Sequence, residues 1–202
     1  MIVDLENFKI QTDNDLTLEL FDHEYWTLLP TQPISVSETN PRSILQSGIA
    51  AHNIKIGKGL LIAMEDLLDG IKPCFMGNGP RGSAEETLEG VRLREHPDKP
   101  SRLRCHFLFH DHGTAKQKQV EWQMSHRFLT RCYVVLNSAR FHHADIEIYD
   151  SLTSQPNSED LAKNYWSTFR PISAKERARL EVLTDSCLYF PDWPSIPNIV
   201  QN

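Results

Sequence analysis

Cysteine is scarce in this 202-residue chain: Cys74, Cys105, Cys132 and Cys187 are the four, none in a CxxC pair and none at zinc-finger spacing. Cysteines so few exclude a disulfide scaffold. Cys105 and Cys132 sit in apolar runs and read as small core residues. Long apolar runs are missing too. The longest, Gly59 to Met64, falls far short of the roughly 20 residues of a membrane helix, so no membrane partner is expected. Positive charge is not in excess, with 21 Lys and Arg against 27 Asp and Glu for a net charge of -6. That balance argues against nonspecific nucleic-acid binding, which needs a positive field. The one basic cluster, Arg92, Arg94, Lys99, Arg102 and Arg104, has Glu89, Glu95 and Asp98 among its members and reads as a solvated loop. Repeats and low-complexity tracts are absent. The opening MIVDLENFKI lacks the basic-then-apolar pattern of a secretory signal, so a reducing, cytoplasmic location is the expectation.

What remains is the composition of an ordinary globular domain, 40% hydrophobic and 24% charged. A single domain over residues 1–202 is expected, with 184–202 as an extended, proline-rich tail packed on it. Strand-like runs open the chain at Ile2 to Ile10 and Leu16 to Phe21, with a turn at Asp13-Asn14. Asn40 and Pro41 suit the cap and first position of a helix whose apolar stripe is Ile44, Leu45 and Ile49. A short extended piece is expected near Ile34 to Val36, and a second helix over Leu60 to Leu68. Ser83 to Glu86 forms a capping box and predicts a helix from Ala84 to about Val91. Arg102 to His110, Arg131 to Leu136 and Ala144 to Tyr149 read as strands. Ala115 to Leu129, Glu159 to Phe169 and Ala174 to Leu183 read as helices. Strands and helices do not alternate regularly, so the expected class is α+β: a mostly antiparallel sheet surrounded by about five helices.

Four constellations carry possible chemistry. His110 and His112 lie two apart, and His142-His143 precede the next strand; with Asp145 or Glu147 they supply a two-histidine, one-carboxylate metal set. The alternative for the same histidines is polar-face or core residues with one hydrogen bond each. Asp145 and Glu147 alternate on one strand face, as a general base and its neighbour or as a solvated polar edge. Gly57 and Gly59 flank Lys58 and permit a ligand close to the backbone, or simply a turn. The spacing is not that of a P-loop. Finally, serines and cysteines can be paired with histidines on paper, but no GxSxG elbow is present.

Two segments together resemble the catalytic domain of ADP-ribosyltransferases of the poly(ADP-ribose) polymerase type. Thr39-Asn40, Ser43-Ile44-Leu45, Gly48-Ile49 and Gly57-Lys58-Gly59-Leu60 resemble that family's "TN…IL…GL…GKGI" stretch, where a helix precedes the NAD-binding strand. Ala144 to Asp150 (ADIEIYD) resembles the strand that bears the catalytic glutamate. Between them, RLRCHFLFHDHG stands where the family has its long central strand. The resemblance implies an ADP-ribosyltransferase-like fold, NAD as substrate, and transfer of ADP-ribose to a protein or other acceptor. It assigns Gly57, Gly59 and Leu61 to the nucleotide and Asp145 or Glu147 to the ribosyl cation that forms as nicotinamide leaves. It also implies a strand at Leu60-Leu61-Ile62, against the helix expected there from composition.

The chain departs from the family at three places. Ile34-Ser35 stands where the family has His-Gly, leaving His23 as the upstream histidine able to serve; Leu61 stands for the stacking tyrosine; and Asp145 stands for the glutamate. Such a domain binds NAD differently, takes another substrate, or has lost activity. Two further readings remain: a noncatalytic interaction module using Tyr189, Phe190, Trp193 and Ile196 of the tail, and a metal enzyme using His110, His112, His142 or His143.

Overall fold

A computed structural model describes residues 1–30, 49–61, 79–136 and 139–197. The expected Pro41 helix up to Gly48, the extended piece at Ile34 to Val36, Ile62 to Gly70, and Cys74 lie outside the described residues. Three short strands, β1 (Ile2–Asp4), β2 (Lys9–Gln11) and β3 (Thr17–Glu19), form an antiparallel meander. Its Ile10 is fully buried against Tyr133, Val135 and Tyr189.

Two further antiparallel sheets make the body. The first has the order β4 (Tyr25–Pro30), β7 (Arg127–Val134), β10 (Leu188–Tyr189), β5 (Leu60–Leu61). The second has the order β6 (His106–Leu108), β9 (Leu180–Thr184), β8 (Phe141–Asp145). A bridge at Trp26 and Phe109 joins them, with backbone bonds of 2.9 and 2.7 Å exchanged both ways.

Register fixes what each face of the second sheet meets. Leu108, Val182 and His143 stand in one cross-strand row, and His106, Thr184 and Phe141 in the next. Directly opposed residues share a face, and this face meets the first sheet around Tyr25, Leu29, Leu61, Val134, Leu188 and Phe190. On its other face, Cys105, Ala144 and Leu183 pack against Leu88, Val91, Leu152, Tyr165 and Trp166. Those side chains come from α2 (Pro80–Glu95), α4 (Ile146–Ser154) and α5 (Glu159–Trp166). The remaining helices are α1 (Ile49–Ile56), α3 (His112–Glu121) and the single turn α6 (Ala174–Arg177). The arrangement is α+β with antiparallel sheets, and six α-helices occur among the described residues. No described helix is long and apolar enough to cross a membrane.

Several elements differ from the sequence reading, each for a local reason. The ADIEIY run is a strand only as far as Asp145. That side chain accepts a hydrogen bond from the Glu147 amide at 3.0 Å and caps α4. Ile146, Tyr149 and Leu152 then follow at helical spacing, so Asp145 and Glu147 do not share a strand face. In RLRCHFLFH, Ser101 caps a 3-10 turn over Arg102–Arg104, and the strand starts at His106. Helix α2 begins at Pro80, with proline at its first position, rather than at the Ser83 box. Helix α3 starts earlier than expected because the Asp111 carboxylate accepts from the Thr114 amide at 2.8 Å. It ends at Trp122, followed by Gln123 at φ 54. Past Ala178 the expected helix gives way to β9, whose five residues are all buried between β6 and β8.

The tail is not a loose cover. Leu188 and Tyr189 fill the gap between β7 and β5, while Tyr189, Phe190 and Ile196 are buried in the core. That removes those three from any exposed partner-binding patch.

Candidate functional site

A cavity of about 480 Å³ runs along β6, between the two sheets on one side and reaching round to Arg102, Tyr149 and Asp150 on the helical side. Volumes of a few hundred cubic ångströms are typical of small-molecule sites. Thr27 to Pro30 of β4, Cys105 to Phe109 around β6, and Leu61, Leu188 and Phe190 form its walls. Arg81, Lys118, Trp122 and Arg127 add cationic and aromatic groups. At one end lies Arg102, buried and bonded to Glu85, Glu181 and the Tyr165 hydroxyl, with its guanidinium 4.2 Å from the centre of the Tyr149 ring. Glu85 and Glu181 hold the Arg102 charge firmly despite its complete burial.

The assigned glycines serve the turn that delivers Leu61 to this wall. Helix α1 ends at Ile56; Lys58 takes φ 51 and Gly59 φ 102, and β5 follows at once. The Gly59 amide donates to the Ile54 carbonyl, and its own carbonyl accepts from the Phe190 amide, both at 2.8 Å. A Cβ on Gly59 would stand 2.8 Å from carbons of Trp193 and Tyr189, so its open side is filled by the tail. On Gly57, a Cβ would fall 2.3 Å from the Leu60 carbonyl oxygen. Leu60 and Leu61 are extended rather than helical, and the rest of the helix expected over Leu60 to Leu68 lies outside the described residues.

The histidines separate into two environments and one outlier. His23 donates its Nε2–H to the His110 carbonyl at 2.9 Å, and the two rings lie 4.1 Å apart. Tyr25 meets His23 edge-on at 4.5 Å. His143 comes close enough for burial and the charges of His110 and His23 to lower its pKa. His110 is lowered likewise, by burial and by His23. Burial pushes the Tyr25 phenol up to about 12. His110, His143 and Tyr25 are thus held toward their neutral forms, with the His23 ring stacked beside His110.

His142 points the other way, into the helical face, where its Nε2–H donates to the Tyr165 carbonyl at 2.8 Å. Its ring lies 5.0 Å from that of Trp166, and burial takes its pKa down to about 3. His112 opens α3 and sits over Trp26 at 4.5 Å. The expected pairing of His110 with His112 on one strand face therefore does not occur, since β6 ends at Leu108. Among the described residues no group of three or more His, Cys, Asp or Glu is placed to hold a metal ion.

Asp145 is buried, and both its oxygens are engaged by the Arg179 guanidinium. Glu147 is exposed, 3.2 Å from the same guanidinium. A single arginine thus answers both carboxylates proposed for catalysis.

Sequence reasoning passed over Arg127, Tyr25 and the Arg102 network. Of the basic cluster that reads as a solvated loop, Arg94 is exposed and Lys99 and Arg104 are half-buried, but Arg92 and Arg102 are buried. Tyr25 and Arg127 carry no local signal, because β4–β7 pairing, Tyr25 with Cys132 and Pro30 with Arg127, is what positions them.

No curated protein matches the sequence. Residues 22–186, from His23 and Tyr25 through β9, match the family described as "Protein of unknown function (DUF2441)". With well over half of its length inside that match, the chain belongs to this family.

Proposed function

We propose that the chain is an ADP-ribosyltransferase-like domain that binds NAD in the cavity between its two sheets. The observation that carries this reading is the unit formed by α1, the Gly57-Lys58-Gly59 turn and β5, which brings Leu61 to the cavity wall. A helix followed by a short nucleotide-binding strand is what the sequence resemblance implies for this stretch. The cavity's mixture of apolar walls, cations and the Trp122 indole suits a ligand with flat rings joined by phosphates.

The reading is one of binding with little transfer. A transferase needs a carboxylate facing the ribosyl cation as nicotinamide departs. Asp145 spends its charge on Arg179 and its cap on the Glu147 amide, and Glu147 lies exposed on α4. His23 is committed to the His110 carbonyl. Turnover on a protein or other acceptor is therefore expected to be slow or absent.

A thermal-shift titration with NAD tests the reading, with nicotinamide release followed in the same samples. A ligand present at 100 times its Kd stabilises the folded state by about 2.7 kcal/mol. A saturable rise in Tm, unchanged by chelator, is expected, with nicotinamide release near background. No rise at millimolar NAD refutes the reading. A large fall in Tm with chelator would instead favour a metal-dependent protein.

A further inference from the structure

The arginines of this protein are paired with carboxylates almost wherever they are partly buried. Arg92 has Glu89, Arg102 has Glu85 and Glu181, and Arg131 has Glu24 and Asp192. Arg140 has Asp185, and Arg179 has Asp145 and Glu147. Arg127 breaks the pattern. It opens β7 opposite Pro30, lines the inter-sheet cavity, and has a fully shielded Nε with no hydrogen-bond partner among the described residues.

Its backbone is hydrogen-bonded on both sides. The Arg127 amide donates to the Met124 carbonyl at 2.9 Å, and its carbonyl accepts from the Gln119 side-chain amide at 2.8 Å. Gln119 is in turn held by the Lys116 ammonium at 2.9 Å. Helix α3 therefore pins the base of the side chain, and no carboxylate among the described residues forms an ion pair with the guanidinium. Burial without a counter-charge disfavours the charged form, and the Arg127 pKa is lowered by desolvation accordingly. A desolvated guanidinium with unused donors is costly unless an anion arrives. Its planar fork matches two phosphate oxygens. Among the other residues that line the cavity, Glu181 is taken by Arg102 and Lys118 by Glu121, while Arg81 adds a positive charge and Asp150 a negative one.

We propose that Arg127 is the phosphate anchor of the inter-sheet cavity, so that its ligands are phosphate- or diphosphate-bearing nucleotides and not neutral nucleosides. This rests on the reading of the cavity as a nucleotide site, and it adds which chemical group is gripped and by what.

The test compares the wild type with Arg127→Met, which keeps apolar bulk, and Arg127→Lys, which keeps the charge. Binding of NAD, ADP, adenosine and inorganic pyrophosphate is measured by calorimetry, with Tm as the control for folding. ADP is expected to bind wild type about ten- to a hundredfold more tightly than adenosine, in line with charge-assisted hydrogen bonds. Arg127→Met should bring ADP down to the level of adenosine, with Arg127→Lys between the two. Should Arg127→Met misfold, Arg127→Lys carries the comparison, since loss of the fork alone must weaken ADP. ADP binding that is equal in all three proteins overturns the anchor and leaves the NAD reading standing. Pyrophosphate and ADP bound through Arg127, with no binding of millimolar NAD, supports the anchor and overturns the NAD reading. No binding of any phosphate compound to the wild type overturns both.

Discussion

Acid should destabilise this protein through His142 before its carboxylates begin to protonate. The imidazole is 3% exposed, donates Nε2–H to the Tyr165 carbonyl, and packs on Trp166. Burial is the main reason its pKa falls from 6.5 to about 3, reinforced by the positive charges of Lys99, His143 and His96 and opposed by the bond to Tyr165. Between those two values the unfolded chain binds a proton that the folded chain does not. Stability is therefore complete above about pH 6.5 and drains away as the pH falls toward 3, by up to about 1.4 kcal/mol per unit. Integrated from pH 7 to pH 4, the loss is about 3 kcal/mol, a large share of a typical domain's total.

The assay is urea unfolding at fixed pH values from 7 to 4, followed by tryptophan fluorescence, for wild type and His142→Phe. Phenylalanine fills much of the same space but leaves the Tyr165 carbonyl without its donor, so the variant should be weaker at pH 7 by about 1–2 kcal/mol. Its pH dependence should be shallower, and the two stabilities should meet or cross near pH 5. His110 and His143 are shifted in the same direction, but they are present in both proteins and cancel in the comparison. Parallel pH profiles for the two proteins would refute the reasoning, because they would mean that His142 is already solvated enough to protonate in the folded state.

Two further substitutions separate structure from chemistry. Arg102→Met should cost about 3–5 kcal/mol in urea unfolding, because it leaves Glu85 and Glu181 buried without their cation; a loss under about 1 kcal/mol would show that water reaches them. Asp145→Ala removes both the cap of α4 and the partner of Arg179, so a loss of about 2 kcal/mol or more is expected by thermal or urea unfolding. An unchanged Tm, together with loss of a measurable activity, would instead return Asp145 to catalysis.

How much was legible in the sequence depended on whether the deciding contact was local. The RCYVVL run announced β7, and Cys105 and Cys132 were readable as core, because β-branched content and apolar neighbours act over a few residues. In ADIEIY the same alternation misled. Four residues cannot distinguish a period of two from one of three, and the Asp145 side chain settled the matter by capping α4. The stretch after Ala178 reads as helix by propensity, yet pairing on both edges with β6 and β8 makes it a strand, which is tertiary structure overriding a weak local preference. The geometry of the candidate site lies largely on that nonlocal side. His23, His110 and His143 meet because β4 bridges β6 at Trp26 and β9 carries β8 alongside. Arg127 is the sharpest instance, since what singles it out is a shielded Nε with no partner among the described residues. Opposite charges at a distance in sequence look the same whether or not they meet, so an unanswered guanidinium becomes visible only beside arginines such as Arg102, Arg131 and Arg179 that are seen with their carboxylates.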